Sequence, residues 1–548
     1  MSEEQKQPME LNIADLFELV ADTVPDREAL ICGTRRFTYA ELDREANRLA
    51  HFLADRGVKA GEHVGMYLYN GHEYLVAMLA AFKIRAVPVN VNYRYVEDEL
   101  QYLLNDSDLV ALFYQRELAD RLAAVRANAP KMRVLVEVDD TSAPRELLAG
   151  ATRYDDAVAS SRPERGFEPR SGKDIYIIYT GGTTGMPKGV MWRHEDVLYA
   201  GLQGGNPGGP PIERGEQLAE IVHSGMCLTF LPAAPLIHGA AEWASIIAFF
   251  GGGKCILQRG KSFDPKIVAR LIRDEKVNTV TLVGDAMARP LAEAITALGD
   301  EADMSSVFVI GSAGAVLSEA VKEQLRAAIP STMIVDSFGA TETGHQGSMA
   351  PGTGHGAGQG PLFYMNETNC VLDDDRKPVA PGSGVVGKLA RRGHIPVGYY
   401  NDPVKTAATF FEIDGVRWVM PGDLATVEAD GSIRVFGRGS VCINSGGEKI
   451  FPEEVEAALK AHDAVLDAVV VGIPDERWGQ RVAALVQLRP GAGASAEDLE
   501  RHCRTKVAGY KVPRVVRFVE RVERQPSGKP DYRWAASYAA AQASGAAS

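Results

Sequence analysis

Short β-branched segments alternate with helix-forming segments along this chain, and that alternation limits its fold more than any other feature. HVGMYLYN and AVPVNVN have the composition of strands, and YLVAMLAAFKI between them has that of a helix. The alternation returns at DIYIIYT, KCILQ, TVTLV, VFVIG and MIVDSFG, with spacers long enough for crossover helices such as residues 264–275. Strands joined through helices pair in parallel, so the sequence predicts a large α/β fold.

One helix can be bounded from its end signals. Thr38 and Glu41 form a capping box, apolar residues recur at helical spacing from Leu42 to Leu53, and Gly57 follows as a stop. We therefore predict a helix that begins just after Thr38 and ends before Gly57.

Length and charge exclude several classes of protein. A chain of 548 residues is long enough for several domains, and its net charge of -13 opposes binding to nucleic acid. The N-terminal segment lacks the basic and apolar blocks of a signal peptide, and no apolar run approaches the roughly 18 residues of a membrane span. The six scattered cysteines include no CxxC pair, so we expect them to be reduced. Together, these features predict that the protein has no integral membrane segment and is cytoplasmic.

Three segments are predicted to lack regular secondary structure. Residues 204–211 and 351–360 are rich in glycine and proline, which predicts mobile surface loops near a site. The tail that follows Trp534, SYAAAQASGAAS, is small and weakly patterned, so it is predicted to be frayed or disordered.

The strongest chemical signal is YTGGTTGMPKG at residues 179–189, directly after a predicted strand. Glycines let the backbone approach a ligand, threonine hydroxyls donate hydrogen bonds, and Lys188 brings positive charge to phosphate oxygens. The composition predicts a phosphate loop, although it lacks the GK[ST] ending of a Walker A motif. Taken alone, a glycine-rich turn with a solvated lysine remains an alternative.

Further motifs accompany this loop in a fixed order. They are GSAGAVLS (311–318), SFGATETG (337–344), PGD (421–423), GRGSVCINSGGEKIFPEEVE (437–456), YKVPR (510–514) and QPSGKPDYR (525–533). With this set, from about Phe37 to Arg533, the chain resembles the adenylate-forming superfamily of acyl-CoA synthetases, adenylation domains and firefly luciferase. The resemblance implies a large N-terminal domain of stacked α/β sheets (1–437) and a small, mobile α+β C-terminal domain (438–548), with a hinge near 439–440.

The resemblance also implies which residues bind ATP or AMP. Glycines, threonines and a lysine of the first loop would hold the phosphates, small residues and an aromatic would flank adenine, and an aspartate and an arginine would bind the ribose. These residues are Thr180, Gly181, Gly182, Thr183, Thr184, Gly185, Lys188, Gly314, Ala315, Phe338, Gly339, Ala340, Thr341, Asp423, Arg438 and Lys529.

Three of the implied residues are assigned to catalysis. By resemblance Thr341 contacts the α-phosphate region, Glu342 holds Mg²⁺, and Lys529 enters the site to bridge the attacking carboxylate and the α-phosphate. A carboxylate suits a hard cation, and an ammonium offsets charge as two anions approach. Without the resemblance, Glu342 and Lys529 would read as solvated turn residues. Pro421 stands where the family usually has a hydroxyl residue beside the ribose-binding aspartate.

Other positions are implied for the acyl group, coenzyme A and the hinge. PLIHGAAEW at 235–243 is similar to the segment that lines the acyl pocket, which assigns His238, Gly239 and Trp243 to that pocket. A packed structural histidine is the alternative for His238. The glycines Gly446 and Gly447 are assigned to the pantetheine. Ser440 occupies the hinge position, where many family members have Asp or Lys.

The implied reaction has two steps: a carboxylate and ATP give acyl-AMP and pyrophosphate, and coenzyme A then gives acyl-CoA and AMP. The partners are therefore a small carboxylic acid, ATP with Mg²⁺ and coenzyme A, and the sequence leaves a homodimer open. VMWRHED and GDAMARPL look most like actinobacterial synthetases for long-chain or steroid side-chain acids. A luciferase-like oxygenase, a stand-alone adenylation domain and a non-catalytic nucleotide- or fatty-acid-binding protein remain as alternatives.

Overall fold

A computed structural model describes residues 9–180, 186–315, 317–349, 361–438, 441–445, 448–475, 479–507, 509–525 and 528–544. Within these ranges the helices are α1 Ile13–Thr23, α2 Tyr39–Asp55, α3 His72–Lys83, α4 Glu97–Asp106, α5 Ala119–Val125, α6 Tyr154–Ala159, α7 His194–Ala200, α8 Gln217–Ser224, α9 Gly239–Phe250, α10 Pro265–Asp274, α11 Gly284–Leu298, α12 Glu319–Ala328, α13 Pro403–Thr409, α14 Pro452–Lys460, α15 Ala496–Arg504 and α16 Tyr532–Ser544.

The strands of the first half of the chain are β1 Glu28–Cys32, β2 Arg35–Thr38, β3 His63–Tyr67, β4 Val87–Asn90, β5 Leu109–Gln115, β6 Val134–Val138, β7 Ala151–Arg153, β8 Ile175–Thr180, β9 Lys188–Arg193, β10 Thr229–Pro232, β11 Lys254–Leu257 and β12 Thr279–Leu282. Those that follow are β13 Val309–Ala313, β14 Met333–Ala340, β15 Gly344–Ser348, β16 Leu362–Met365, β17 Asn369–Leu372, β18 Gly387–Arg392, β19 Gly398–Tyr399, β20 Phe410–Ile413, β21 Val416–Val419, β22 Asp423–Val427, β23 Ile433–Arg438, β24 Ile443–Ser445, β25 Glu448–Ile450, β26 Val465–Asp475, β27 Gly479–Leu488 and β28 Val515–Phe518.

The largest sheet has a parallel half and an antiparallel half. Its strand order is β2-β1-β11-β10-β12-β13-β14-β15-β16-β23-β22-β18-β21-β20, with β17 paired to β18. From β1 to β14 the strands run parallel, and from β14 onward they pair antiparallel. The change of direction lies at β14, where the parallel strands end together, so it gathers the motifs that follow β13 and β14.

The second sheet has the order β19-β9-β8-β4-β3-β5-β6-β7. Its central strands β3, β4 and β5 are parallel, which confirms the strand–helix–strand reading of this region. Helix α9 joins the two sheets at their common core: Tyr74 on α3 donates a hydrogen bond to Glu242 Oε1 at 2.7 Å, and Tyr176 on β8 donates to Glu242 Oε2. The α/β fold predicted from the alternation is therefore confirmed.

A third, smaller sheet belongs to the C-terminal part of the chain. It runs β25-β24-β27-β26, with β28 paired to β27, and it carries helices α14, α15 and α16. Its buried side chains form hydrophobic clusters drawn only from residues 443–539, whereas the other clusters are drawn only from residues 13–435. The two sets of buried side chains thus separate between residues 435 and 443.

The predicted end signals of α2 are present as bonds. Glu41 N donates to Thr38 Oγ1 at 3.2 Å, and Thr38 N donates to Glu41 Oε2 at 2.9 Å, which is the reciprocal capping box. Gly57 follows the helix with φ of 79°, a backbone conformation that favours glycine.

The prediction of a frayed tail is wrong for residues 537–544, whereas residues 545–548 lie outside the described ranges. Helix α16 continues to Ser544, and Ala535 and Ala539 are buried against β26 beside Val469. Alanine has the strongest intrinsic helix propensity, and its small side chain lets the helix lie close to the sheet, so weak amphipathic patterning did not prevent helix formation.

The structure describes one of the two predicted glycine-rich loops. Residues 203–205 form a single 3-10 turn, and Gly204 lies against Pro211, so residues 204–211 are not a sheet element, as predicted; their mobility stays a prediction. Residues 351–360 lie outside the described ranges. Among the helices that are described, none has the length and apolar character needed to cross a membrane.

Candidate active site

The predicted phosphate loop connects two paired strands. β8 and β9 are antiparallel, and Thr180 faces Lys188 in the register at their open end. Lys188 Nζ lies 5.6 Å from the centroid of the Tyr399 ring. The five loop residues Gly181, Gly182, Thr183, Thr184 and Gly185 lie outside the described part of the chain, so their contacts stay predictions.

The segment 338–344 forms the tight end of the β14–β15 hairpin. Ala340 N donates to Thr343 Oγ1 at 3.1 Å, and Thr343 Oγ1 donates to Gln346 Oε1 at 2.9 Å. A side chain at Gly339 would collide with the carbonyl oxygen of Gly344, so the hairpin requires glycine there. The turn therefore holds the next two residues of the motif, Thr341 and Glu342, in a fixed position.

A buried arginine stabilises this turn from behind. Arg391, on β18, is 4% exposed and donates to the carbonyl oxygens of Thr343 at 2.6 Å and His345 at 2.5 Å. Burial lowers the pKa of Arg391 to about 10, so it remains a cation at neutral pH. Its two bonds satisfy carbonyl groups of the turn close to the site.

Two further contacts join the turn to the phosphate-loop hairpin. Tyr399, on β19, donates from its hydroxyl to Glu342 Oε1 at 3.1 Å, and β19 is paired with β9. Trp192, on β9, donates from Nε1 to the carbonyl oxygen of Thr341 at 2.9 Å. Lys188, Thr341 and Glu342 are therefore assembled into one wall by direct contacts.

The predicted adenine loop lies next to this wall because β13 and β14 are parallel neighbours. Ala313, at the end of β13, is in register with Ser337 on β14. Gly314 follows with φ of 80°, and Ala315 packs at the edge of the main core. The ring centroid of Phe338 is 5.3 Å from that of Phe363, so Phe338 is anchored at its base.

The predicted ribose-binding residues occupy paired strand ends. Asp423 begins β22, is 7% exposed and faces Arg438, the last residue of β23. Gly422 has φ of 106°, a conformation reserved for glycine, and it places the chain for the start of the strand. The backbone thus puts Asp423 and Arg438 side by side, although the side chain of Arg438 lies outside what the structure describes.

Lys529 projects from a braced turn of the C-terminal part. Gln525 N donates to the carbonyl oxygen of Lys529, and Gly528 N donates to that of Gln525, both at 2.8 Å. Arg524 donates from Nη1 to the Gly528 carbonyl oxygen at 3.0 Å and makes two bonds to Asp467, at 2.7 and 2.6 Å. The turn is therefore fixed to its own sheet through Arg524.

This turn contacts the large domain beside the predicted adenine loop. A Cβ atom at Gly314 would lie 3.8 Å from Lys529 Cε, and one at Gly528 would lie 2.9 Å from Val283 Cγ1. Burial, followed by the positive charge of Lys529, lowers the pKa of His238 to about 3. The structure therefore brings Lys529 together with Gly314 and His238.

The predicted acyl-pocket residues lie at the start of α9. His238 is its N-cap residue, and His238 Nε2 is enclosed and has no hydrogen-bond partner in the described part of the chain. A Cβ atom at Gly239 would lie 3.3 Å from Ile178 and 3.5 Å from the Trp243 ring. Trp243 makes an edge contact with Trp192, with ring centroids 6.3 Å apart. The two tryptophans link this region to the wall.

Some predicted residues cannot be placed. Ser440, Gly446 and Gly447, the predicted hinge and pantetheine residues, lie outside the described ranges. Among the residues that are described, no group of three or more His, Cys, Asp or Glu could hold a metal ion by itself. A Mg²⁺ ion in proteins is commonly held by one or two carboxylates plus substrate phosphates, and the single carboxylate of Glu342 on this wall fits that donor set.

Sequence reasoning missed the residues that support the site. Arg391 and Tyr399 lie far along the chain from the groups they hold, Arg524 lies far from its partner Asp467, and none of the three belongs to a quoted chemical motif. Trp192 stood within the quoted segment VMWRHED but was not assigned a role. The tryptophan itself was the one available signal, because a buried indole N–H usually needs a hydrogen-bond acceptor.

Comparison with known proteins matches both parts of the chain. Residues 17–400 match the AMP-binding enzyme family, and residues 454–529 match the AMP-binding enzyme C-terminal domain. The chain is 49% identical, over 96% of both chains, to 3-oxocholest-4-en-26-oate–CoA ligase of Rhodococcus rhodochrous. It is 48% identical to the medium/long-chain-fatty-acid–CoA/3-oxocholest-4-en-26-oate–CoA ligase of Mycobacterium tuberculosis H37Rv, over 96% of this chain and 95% of that one.

Solved structures share the fold. The crystal structure of ATP-bound MatB from Rhodopseudomonas palustris superposes with a TM-score of 0.80 at 23% identity, covering 97% of this chain and 99% of that one. The predicted arrangement of a large α/β domain followed by a small C-terminal domain is therefore the arrangement of the chain.

Proposed function

The chain belongs to the AMP-binding enzyme family, and from that premise we propose that it is an ATP-dependent acyl-CoA synthetase for steroid side-chain or medium- to long-chain carboxylic acids. One observation carries the assignment of its site: Lys529 of the small domain lies against Gly314 of the predicted adenine loop. That placement supports an arrangement of the two domains in which the first half-reaction takes place.

In the proposed first step the substrate carboxylate attacks the α-phosphorus of ATP, and pyrophosphate leaves. Lys188 and Lys529 supply positive charge on the two sides of the reacting group, and Thr341 donates to the α-phosphate. Catalysis of such a transfer depends on positioning and charge neutralisation rather than on a general base. A neutral His238 agrees with this, because no proton has to leave a carboxylate that is already ionised.

We assign the nucleotide to the wall residues and the metal to Glu342. Asp423 and Arg438 would bind the ribose hydroxyls, and Phe338, Gly314 and Ala315 would flank adenine. When bound, Mg²⁺ would neutralise phosphate charge next to Glu342. The hydroxyl of Tyr399 orients that carboxylate by donating to Oε1 at 3.1 Å.

In the proposed second step the thiol of coenzyme A attacks the carbonyl carbon of acyl-AMP, and AMP leaves. By this proposal the small domain (438–548) rotates about Ser440, withdraws Lys529 and brings Gly446 and Gly447 to the pantetheine. The separation of buried clusters between residues 435 and 443 supports a pivot there, because no packed core has to be broken for the domains to move.

The acid is proposed from the relatives and from the pocket. Two relatives at 48–49% identity are named for 3-oxocholest-4-en-26-oate, and one of them also for medium- and long-chain fatty acids. In this chain the pocket start carries the small residues Gly239 and Ala240, and Gly239 lies under the ring of Trp243. Small residues at these two positions are compatible with an apolar tunnel for a bulky alicyclic acid.

The function is tested by measuring pyrophosphate and AMP formation across a panel of carboxylic acids, with and without coenzyme A. We expect a higher kcat/KM for a steroid side-chain or long-chain acid than for acetate or benzoate, because burying apolar surface contributes about 25 cal/mol per Å². A preference for acetate or benzoate would contradict the acid assignment. If the rates of pyrophosphate and AMP formation did not depend on coenzyme A, a different adenylate-forming enzyme would be favoured.

A further inference from the structure

A buried ion pair connects the two domains at the start of α11. Asp285 lies in the first turn of this large-domain helix, and Lys460 is the last residue of α14 in the small domain. Lys460 Nζ is 3.7 Å from Asp285 Oδ2, and the side chains are 5% and 8% exposed. The pair is therefore almost fully removed from water in this arrangement of the domains.

Asp285 also contacts the element that follows the predicted adenine loop. Its Oδ1 accepts a hydrogen bond from Ser318 N at 2.7 Å, and Ser318 is the N-cap residue of α12. The second oxygen, Oδ2, has no hydrogen-bond partner among the described residues, and the cation of Lys460 faces it. One carboxylate thus joins the nucleotide side of the large domain to the small domain.

The same face of contact continues to the catalytic lysine. Val283, two residues before Asp285, touches Gly528, and Arg524 fixes the Gly528 turn to Asp467 on β26. Lys460 and Lys529 belong to one packed small domain, while Asp285 and Gly314 belong to the large one. A shift that separates Asp285 from Lys460 therefore also moves Lys529 away from Gly314.

Both charges are favourable within their own domains. Asp285 lies at the N-terminal end of α11 and Lys460 at the C-terminal end of α14, where helix dipoles favour an anion and a cation respectively. Each side chain is therefore well accommodated within its own domain when the domains separate and water returns. Other charges lie near each partner: Arg289 and Arg524 near Asp285, and Glu456 and Asp467 near Lys460. Removing one partner of the pair therefore unbalances the buried charges at the interface, which is a costly state.

We propose that the Asp285–Lys460 pair is a latch that holds the small domain where Lys529 reaches the nucleotide. This inference rests on the proposed two-step function. Both are positioning residues, since neither is assigned to substrate or cofactor. Losing one partner unbalances the buried charges between the domains, which shifts the domains away from the adenylating arrangement and lowers its population.

The test compares the two half-reactions in Asp285→Asn, Lys460→Met and the double variant. We expect each single variant to slow pyrophosphate exchange by on the order of tenfold and to leave thioester formation from synthetic acyl-AMP unchanged. The double variant should lose no more than one single variant, because it removes both charges together. Lys460→Arg, which keeps the charge, should retain most of the exchange rate.

A matched control removes a buried pair that lies within one domain. Arg116 directly follows β5 and Glu137 is on β6; Arg116 Nε and Glu137 Oε1 are 3.3 Å apart, with side chains 6% and 1% exposed. Glu137→Gln should lower the melting temperature without changing the ratio of the two half-reaction rates. A latch variant that behaves like this control would overturn the proposal.

A second readout does not depend on activity. Hydrogen exchange of peptides covering residues 283–289 and 453–460 should rise in Asp285→Asn and stay at the wild-type level in Glu137→Gln. If exchange rises while the wild type adenylates no acid at all, the latch stands and the proposed function fails. Unchanged hydrogen exchange of these peptides in Asp285→Asn would refute the latch. An equal slowing of both half-reactions by this variant would refute it too.

Discussion

The wall of the site and the Lys529 turn are held in different ways. Thr341 and Glu342 are fixed by Trp192, Tyr399 and the Arg391 bonds to the same hairpin, all within the large domain. Lys529 is braced just as firmly within the small domain, but it meets the nucleotide side across an interface. Groups on the wall can therefore serve both half-reactions, whereas Lys529 can serve only acyl-AMP formation, which takes place while the domains are docked.

The largest expected effect comes from removing the lysine that crosses the interface. Lys529→Ala should slow acyl-AMP formation by on the order of 10²- to 10³-fold, because one well-placed charge is lost from the transition state. Thioester formation from synthetic acyl-AMP should be nearly unchanged. Pyrophosphate exchange and a thioester assay measure the two steps separately.

Lys276→Ala is a suitable control for that variant, because this exposed lysine pairs with Asp303 on the surface of the large domain. It should leave both half-reactions at the wild-type rate. If Lys529→Ala slowed both steps equally, Lys529 could not be specific to the first half-reaction, and the proposed difference between the wall and the Lys529 turn would be wrong.

A variant of the predicted ribose site, which like the wall lies in the large domain, should affect both steps. Asp423→Ala should lower kcat/KM for ATP by on the order of 10- to 100-fold, since hydrogen bonds to a charged group are worth about 1.5–3 kcal/mol. It should also reduce the preference for ATP over 2′-deoxy-ATP, which kinetics with both nucleotides would measure. Asp430→Ala, in the exposed turn after β22, is the control. Equal use of both nucleotides by the wild type would count against the ribose assignment.

Removing the support behind the wall should lower stability as well as activity. Arg391→Met leaves the carbonyl groups of Thr343 and His345 without their donor, which costs about 1–3 kcal/mol for each buried group left unsatisfied. Denaturant unfolding measures the loss, and both half-reactions should fall together. Arg392→Met is a matched neighbour, because Arg392 is exposed and lies over the Trp418 ring. A normal stability for Arg391→Met would contradict its supporting role.

The smallest expected effect is a change with pH in the free energy of unfolding, caused by Glu242 in the core behind the acyl pocket. Burial raises the pKa of Glu242 from 4.5 to about 7, against the lowering effect of hydrogen bonds from Tyr176 and Tyr74. The folded protein thus keeps a proton that the unfolded chain releases near pH 4.5. This contribution to stability is complete below pH 4.5 and is lost as the pH rises to about 7.

Glu242→Gln mimics the protonated acid, so its free energy of unfolding should vary less between those pH values than that of the wild type. Denaturant unfolding at several pH values measures the slopes. Identical slopes for the two proteins would show that Glu242 is already ionised in the fold.

Local signals in the sequence predicted the elements but not their long-range partners. The capping box of α2 depends on neighbouring residues, and it is confirmed by its hydrogen bonds. Arg391 and Tyr399 act on residues 48 and 57 positions away, which no local pattern encodes. The tail failed for a similar reason, since burial of Ala535 and Ala539 depends on β26.

The candidate site shows the same limit. Composition alone indicated a phosphate loop around Lys188, whereas Glu342, Asp423 and Lys529 read as ordinary turn residues until the resemblance assigned them. The structure gathers Lys188, Thr341 and Glu342 on one wall and places Lys529 beside Gly314. The roles of these residues stay predictions, because chemistry is decided by bound substrates rather than by their mutual placement.

The most direct test of a two-step synthetase is to follow the oxygen of the acid. With a long-chain or steroid side-chain acid labelled with ¹⁸O in both carboxylate oxygens, attack on the α-phosphorus carries one labelled oxygen into the acyl-AMP bridge. Attack by coenzyme A then releases AMP that contains this oxygen. Mass spectrometry should find one ¹⁸O in each AMP and none in pyrophosphate. Label in inorganic phosphate or pyrophosphate, or unlabelled AMP formed together with thioester, would contradict the account.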